Sequence, residues 1–284
     1  MSRMSFKIII IIITKIFKEL FLFIHDIFKR HYLIGELARR DFKESYADSV
    51  LGLTWAILEP LSMALIMWWA FTFGLRVGRG TFGMPFVCYL FIGNLAWEYF
   101  SRAFYGSANV IQQYSFLVKK IDFRLSILPV VKMVSSFYIT AIFFLVVVLL
   151  LFIHGIKPTW YWFQLLYYFF AMVMLVLGLG WLASAITVFV KDFSHIISIL
   201  LQFGFWASPV LWNPEMLPES FQRFVRFNPM AYIILGYRNS LVYGKPFWQE
   251  DLFTTIYFWA LTFFFLLVGI AVFKRLSPHF ADVI

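Results

Sequence analysis

Residues 125–153 read LSILPVVKMVSSFYITAIFFLVVVLLLFI, and Lys132 is the only charged residue among them. A helix needs about 20 consecutive, mostly apolar residues to cross the hydrocarbon core of a membrane. This run is longer than that, so it predicts a membrane-spanning helix with enough length to tilt.

The composition extends this prediction to the whole chain. Hydrophobic residues make up 62% of the 284 residues and charged residues only 14%, against roughly 45–50% and about 25% in soluble domains. The net charge of +9 could indicate a nucleic-acid partner, but the Lys and Arg residues flank apolar runs, as in membrane proteins. We therefore predict an integral membrane protein that contacts membrane lipids and no nucleic acid. Its single cysteine, Cys88, excludes an intrachain disulfide and a cysteine-based metal cluster.

Six apolar runs predict an all-α integral membrane fold with six transmembrane helices between residues 55 and 273. Residues 1–60 are too charged to span and predict a cytoplasmic or interfacial amphipathic region, with a span over residues 8–24 as the alternative. The segment 213–251 predicts two short re-entrant outer helices, and residues 274–284 a cytoplasmic tail. The spans are predicted at about residues 55–75, 85–105, 125–153, 162–190, 196–212 and 252–273.

The distribution of Lys and Arg predicts the orientation. With the N-terminus inside, the cytoplasmic segments carry more cations than the two short outer loops, and the long outer loop has no net charge. The positive-inside rule then predicts cytoplasmic N- and C-termini in the inner (cytoplasmic) membrane. The short outer loops hold Arg76, Arg79 and Lys157, whereas the inner segments hold Arg39, Arg40, Lys43, Lys119, Lys120, Arg124, Lys191, Lys274 and Arg275.

The sequence contains no motif for catalysis or for ATP binding. The Gly244-Lys245 pair is followed by Pro246 rather than by the hydroxyl residue of a phosphate-binding loop. The five histidines are scattered and lack metal-ligand spacing. We therefore expect a chain that is not an enzyme and holds no metal.

Charged residues inside predicted spans usually mark a transport path, and few are present. Glu98 and Arg102 lie four residues apart, so they can pair on one helix face; a role in a gate is the alternative. Lys132 lies two turns into its span, from where its side chain is expected to reach the cytoplasmic surface. So few ionisable groups favour a source of energy outside the chain.

Aromatic residues account for 22% of the chain. Trp and Tyr collect at membrane interfaces and Phe faces lipid, which accounts for the clusters without any function. The alternative is a pore lined by ring faces along which sugars slide. The residues selected for a candidate substrate path are Trp68, Trp97, Glu98, Arg102, Phe205 and Trp206.

A series of short motifs carries a family resemblance. Residues 45–60 read SYADSVLGLTWAILEP and are followed by GNLAW at 93–97, LVKKIDF at 117–123, VKDFSH at 190–195, SPV at 208–210, NP at 228–229, Arg238 and FKRLSPHFAD at 273–282. In this order they resemble the ABC-2 type permeases of O-antigen, capsule and teichoic acid exporters. The sequence Phe123-Arg124-Leu125 lacks the proline that often follows the coupling segment in that family.

The resemblance implies a homodimer that works with two copies of a separate ABC ATPase and exports a lipid-linked, O-antigen-like polysaccharide. ATP and Mg would be bound by the ATPase, and this chain would bind no cofactor. Residues 36–60 would form a gate helix and residues 107–124 a coupling segment. The implied gate residues are Arg40, Asp41, Tyr46, Gly52 and Trp55; the coupling residues are Gln112, Ser115, Leu117, Lys119, Lys120 and Asp122; the outer-loop residues are Asn228, Pro229 and Arg238.

Three other functions stay open at this point. A capsule, teichoic acid or drug-efflux ABC-2 permease would share the same architecture. A stand-alone secondary carrier or channel would move its substrate without an ATPase. A membrane enzyme acting on lipid-linked sugars would need an acid such as Glu98 for turnover.

Overall fold

The computed structural model describes Phe23 and residues 25–47, 49–74, 83–118 and 123–284. Throughout these ranges the regular structure is helical and includes no β-strand. The helices are α1 (His31–Ala47), α2 (Trp55–Trp69), α3 (Phe86–Gln113), α4 (Ser115–Val118), α5 (Leu128–Ile153), α6 (Gln164–Phe189), α7 (Phe193–Ala207), α8 (Glu219–Val225), α9 (Pro229–Arg238), α10 (Leu252–Leu276) and α11 (Phe280–Val283).

Several helices are extended by turns of other helical types. A π-helical turn, Ala70–Gly74, lengthens α2, and a second one, Asn239–Tyr243, lengthens α9. Short 3-10 turns, Leu125–Ile127 and Trp160–Phe163, lead into α5 and α6. Continuous helical backbone satisfies its own hydrogen bonds, as a membrane-spanning segment requires.

Four helical segments of the described chain are long and apolar enough to cross a membrane: Trp55–Gly74, Leu125–Ile153, Trp160–Phe189 and Leu252–Val283. They coincide with four of the six predicted spans. The other two predicted spans correspond to helices that differ from a simple span. Helix α3 has 28 residues but is more polar, and α7 is apolar but has only 15 residues. The fold is therefore that of a multi-pass helical membrane protein with four clear spans.

Helix α3 continues past residue 105, the predicted end of the second span, without interruption to Gln113. Residues 107–113, the first part of the predicted coupling segment, are therefore helical. The side chain of Lys132 packs against Gly106 within this helix: a Cβ at Gly106 would lie 3.3 Å from the lysine Cδ.

Helices α6 and α10 approach each other closely enough for backbone contact. A Cβ placed on Gly269 would lie 2.3 Å from the carbonyl oxygen of Gly178, and one on Gly178 would lie 2.6 Å from the backbone nitrogen of Leu266. Small residues allow such approach between membrane helices, where van der Waals contact replaces the hydrophobic effect. This glycine contact fixes the central pair of the bundle.

Helix α1 lies along α5 through a small apolar contact. Ile34 and Ala38 of α1 pack against Ile127 and Val131 at the start of the α5 segment. Helix α1 thus packs one apolar side against α5, and the cytoplasmic or interfacial location of residues 1–60 stays a prediction. Residues 1–22 lie outside the described part of the chain.

The loop before the last long helix contains two short helices, α8 and α9, where two were predicted. The apolar side chains Phe221 and Phe224 of α8 are exposed. Helix α9, by contrast, is mostly buried against α3 and α6.

Replacing Gly269 by Ala should destabilise the protein, because the added methyl group overlaps a backbone oxygen of α6. Overpacking of this kind typically costs about 1–3 kcal/mol. The measurement is the melting temperature of the purified protein in detergent. Gly35→Ala is the matched control: no atom lies within 4 Å of the new Cβ, and Ala favours the helix over Gly by up to about 1 kcal/mol. Equal melting temperatures for the two variants would contradict the close contact.

Candidate functional site

A buried carboxylate, that of Asp41 on α1, is the centre of one polar cluster. Asp41 is only 2% exposed. Its Oδ1 accepts hydrogen bonds from Lys132 Nζ at 2.5 Å, from the Tyr114 hydroxyl at 3.2 Å and from Gln113 Nε2 at 3.3 Å. One side chain thus connects α1 to the end of α3 and to α5.

The prediction that Lys132 extends to the cytoplasmic surface is wrong. Its ammonium group instead forms an ion pair with Asp41, and the two side chains are only 13% and 3% exposed. Helix α1 covers this part of α5, and its Asp41 carboxylate lies within hydrogen-bond distance of the ammonium group. A buried ammonium requires such a partner, since desolvation of an unpaired charge is costly.

Tyr114 completes the cluster as a hydrogen-bond donor. Burial, and then the neighbouring carboxylate of Asp41, raise the pKa of the Tyr114 hydroxyl well above its usual value. The phenol therefore keeps its proton at any physiological pH, and it can donate to Asp41 continuously.

Arg102 on α3 forms a second group of ion pairs. Its Nη2 lies 3.3 Å from Glu59 Oε2 on α2 and 3.7 Å from Glu98 Oε2 on its own helix. The predicted Glu98–Arg102 pair is therefore present, and Glu59 is a partner that sequence reasoning missed. Arg102 thus links α2 to α3.

Both groups of ion pairs line one cavity of about 400 Å³. The charged residues around it are three acids and two bases, so the cavity does not favour anions. Hydroxyl groups complete the polar wall. The residues that line it include Asp41, Ser45, Tyr46, Glu59, Glu98, Ser101, Arg102, Lys132, Ser135, Ser136 and Ser198.

Arg238 forms a different polar centre near the other end of α3. It is fully buried and donates to the carbonyl oxygens of Pro209 at 2.6 Å, Val210 at 2.8 Å and Tyr89 at 3.2 Å. Its guanidinium carbon lies 3.3 Å from the centre of the Tyr89 ring. Carbonyl dipoles and a ring face together compensate the buried charge.

Asn228 connects the outer loop to the same region. Its Nδ2 donates to Ser208 Oγ at 2.9 Å and to the Ala207 carbonyl at 3.2 Å, and its Oδ1 accepts from the backbone of Met230 at 2.9 Å. Asn228 therefore caps α9, with Pro229 in the first turn where proline is favoured. Asn228 and Arg238, two of the three outer-loop residues selected from the sequence, donate hydrogen bonds to residues 207–210.

Comparison with known families matches residues 32–242 to the ABC-2 type transporter family. This chain belongs to that family. The matched region runs from α1 through the turn that follows α9, so it includes both polar centres. Among curated relatives, the O-antigen export system permease protein RfbA of Klebsiella pneumoniae is 26% identical over 258 residues, covering 89% of this chain and 95% of the relative. RfbA of Myxococcus xanthus is 27% identical over 254 residues, covering 85% and 94%.

The five predicted gate residues of this ABC-2 chain occupy different environments. Asp41 and Tyr46 are buried and line the cavity. Arg40 is exposed and pairs with Glu44 at 2.6 Å. Gly52 has a positive φ of 50° in the turn between α1 and α2, a conformation that favours glycine. Trp55 is largely exposed at the start of α2.

The predicted coupling residues divide into internal and external ones. Gln112 donates to the Thr187 carbonyl at 2.8 Å and so ties α3 to α6, and Leu117 is buried. Ser115 is partly exposed. Its neighbour Phe116, which sequence reasoning missed, is 56% exposed. Lys119, Lys120 and Asp122 lie outside the described residues.

The aromatic residues of the predicted path do not form a single surface. Trp97 is buried and packs edge-on against Phe205, 5.8 Å between ring centres. Trp68 is partly buried beside Phe73. Trp206 is largely exposed on α7. Within one copy of the chain, Trp206 is therefore the ring of this set most accessible to a substrate, a lipid or a second subunit.

Replacing Lys132 by Met should destabilise the protein by about 3–5 kcal/mol, because it leaves the buried Asp41 carboxylate without its cation. The double variant Lys132→Met with Asp41→Asn removes both charges and keeps an acceptor for Tyr114. It should recover most of the loss. Thermal unfolding in detergent measures both. A double variant no more stable than Lys132→Met alone would contradict the buried pair.

Proposed function

We propose that this chain is the permease subunit of an ABC exporter that carries a lipid-linked, O-antigen-type polysaccharide across the cytoplasmic membrane. The observation that carries the proposal is the near-complete alignment with relatives named as O-antigen export permeases, which are covered over 94–95% of their length. The family match over residues 32–242 supports it independently.

Hydrolysis of ATP is assigned to a separate ABC ATPase in this proposal. The sequence has no phosphate-binding loop of the P-loop type, and an ABC-2 permease needs an ATPase partner. ATP and Mg are therefore bound by the partner and not by this chain. The exposed Phe116 on α4, which follows the end of α3, is a suitable point for docking it, and the cations Lys119 and Lys120 come next in the sequence.

The proposed topology has six spans with cytoplasmic termini in the inner membrane. Helix α3, with 28 residues, is about 42 Å long at 1.5 Å per residue and exceeds the roughly 30 Å hydrocarbon core. Helix α7, with 15 residues, is about 22 Å long. It completes a crossing together with the buried residues 208–211 that follow it, as broken helices do where protein covers the irregular backbone.

A homodimer accounts for the exposed apolar faces of α2 and α7. Phe203 on α7 is 72% exposed, and Ile199, Leu200, Ile66 and Trp69 are exposed as well. A second copy covering these faces would place the path at the dimer interface. The exposed Trp206 would then offer a ring face to the glycan.

Asp41 is proposed to couple the ATPase to the gate. Two of its three donors, Gln113 and Tyr114, lie within the predicted coupling segment of residues 107–124 and place it in direct contact with α1. A displacement of that segment therefore acts on α1 through one carboxylate. Glu59 and Arg102 extend the connection to α2.

Export should require both the co-purifying ATPase and an intact Asp41–Lys132 pair. The neutral variant Asp41→Asn with Lys132→Met should still assemble with the ATPase and hydrolyse ATP, while surface polysaccharide falls roughly tenfold or more, the effect of losing a coupling energy of about 1.4 kcal/mol. Surface glycan is measured by immunoblot and hydrolysis by phosphate release. Glu36→Ala with Arg39→Ala, which removes one exposed acid and one exposed base of the same helix, is the control. Export by the chain alone, driven by an ion gradient, would refute the proposed function.

Single-cysteine labelling should establish the six-span topology. In a Cys88→Ser background, Lys157→Cys should react with a membrane-impermeant maleimide added outside the cytoplasmic membrane. Lys191→Cys should react only after the membrane is opened. Both lysines are exposed, so the reaction of each engineered cysteine with the maleimide depends only on the side of the membrane on which it lies. Labelling of both positions from outside would contradict the proposed orientation.

A further inference from the structure

Two adjoining cavities lie near the start of α3, at the opposite end of this helix from Asp41. They have volumes of about 460 Å³ and 200 Å³ and share three wall residues, Pro214, Leu235 and Glu250. Tyr89 lines the larger cavity and precedes Gln113 by 24 positions, which is about 36 Å along a helix. In the proposed topology this region, which we call the outer groove, faces the outside of the membrane.

The larger cavity is lined by hydrogen-bonding groups held in fixed positions. Asn239 Nδ2 donates to Glu250 Oε1, and the Tyr168 hydroxyl donates to the same oxygen at 3.5 Å. Asn213 Nδ2 lies 3.4 Å from Glu215 Oε2. Each carboxylate has further lone pairs to offer a ligand, and Lys245 adds an exposed cation at the rim.

The smaller cavity continues the same chemistry. Arg226 and Asp251 form an ion pair at 3.6 Å, and the Thr254 hydroxyl donates to Asp251 at 2.9 Å. Gln222 and Tyr232 also line it. Carboxylates, amides and hydroxyl groups therefore line both cavities, and in the smaller one they alternate with apolar side chains such as Val225 and Leu235.

Acidic and basic residues are balanced along the outer groove, so its charge gives no preference for anionic ligands. The larger cavity has two acids, Glu215 and Glu250, against Arg238 and Lys245, and the charge of Arg238 is taken up by backbone carbonyls. The smaller cavity has two acids and one base. A diphosphate or an anionic lipid headgroup would meet as many carboxylates as cations, whereas a ligand rich in hydroxyl groups could both donate to the acids and accept from Asn239 and Lys245.

We propose that the outer groove is a binding site for successive, uncharged sugar units of the polysaccharide as it leaves the permease. The larger cavity lies within the roughly 300–1,000 Å³ of typical small-molecule sites, and the smaller one extends it in one direction, as a linear polymer requires. The exposed ring of Tyr243 offers a face to a pyranose. This inference rests on the proposed export function for the side of the membrane and the class of ligand.

The test uses the double variant Glu215→Ala with Lys245→Ala. Both side chains are exposed, and the backbone hydrogen bonds of the two residues do not involve these side chains. The fold should therefore persist in the variant. Calorimetric titration of the full-length chain in detergent uses lipid-free oligosaccharide released from the cell's own surface polysaccharide. The variant should bind at least about tenfold more weakly, since hydrogen bonds to charged groups contribute about 1.5–3 kcal/mol each. The control Glu219→Ala with Lys157→Ala removes one exposed acid and one base that do not line the groove and should bind like the wild type.

Further readouts separate the groove from the export function. Inorganic diphosphate should not compete with the oligosaccharide; competition would overturn the proposal that the groove takes uncharged sugars. If wild-type cells display the polysaccharide but the purified chain does not bind the oligosaccharide, the groove proposal is refuted and the export function stands. The same conclusion follows if the double variant binds the oligosaccharide as well as the wild type does. Variant-sensitive binding without any export in cells would support the groove while refuting the proposed function.

Discussion

The ion pair between Asp41 and Lys132 is the constraint on which one end of the bundle, where α1 meets α3 and α5, depends. An ammonium group two turns inside a membrane helix needs a counter-charge, because desolvation of an unpaired charge is costly. Here the counter-charge comes from α1, a helix that also packs apolar side chains, among them Ile34 and Phe42, against the α5 segment. The pair adds a polar constraint to this packing, and the hydrogen bonds from Gln113 and Tyr114 extend that constraint to the end of α3.

The other end of α3 is organised around a buried charge of a different kind. Arg238 has no carboxylate among its hydrogen-bond acceptors in the described structure and is held by three carbonyl oxygens and the ring of Tyr89. Two of these carbonyls, those of Pro209 and Val210, belong to the buried turn that follows α7, where no regular helix continues. Arg238 thus supplies hydrogen-bond donors to the backbone just beyond the end of α7. Lys132 and Arg238 thus hold opposite ends of the bundle around α3 in different ways, one through a carboxylate and the other through backbone carbonyls.

The sequence predicted the long apolar helices well because hydropathy over about 20 residues is a local property. The segment 125–153 and the start of α2 at Trp55 agree with the structure. Helix α3 was predicted less well: a polar stretch after residue 105 indicates a loop in a membrane protein, but here α1 supplies the polar partners that allow the helix to continue to Gln113. The partner of Lys132 could not be predicted either, since nothing in the sequence separation of Asp41 and Lys132 indicates that their helices meet. The family motifs indicated that residues 208–210, 228–229 and 238 matter, but they did not predict the hydrogen bonds that join these residues.

The different ways in which the helices are joined indicate where movement is easiest. Helices α6 and α10 meet through glycine backbones at Gly178 and Gly269, and a change in their relative position would lose close contacts that no other residue replaces. Helices α1 and α2 are attached to the bundle by smaller apolar contacts, at Ile34, Ala38 and Ala56, and by the ion pairs of Asp41 and Arg102 beside a polar cavity. Charged groups beside such a cavity can exchange partners for water or for a substrate hydroxyl. In the proposed function the central helices therefore form a rigid frame, and α1 and α2 the moving part of a gate controlled from the cytoplasm.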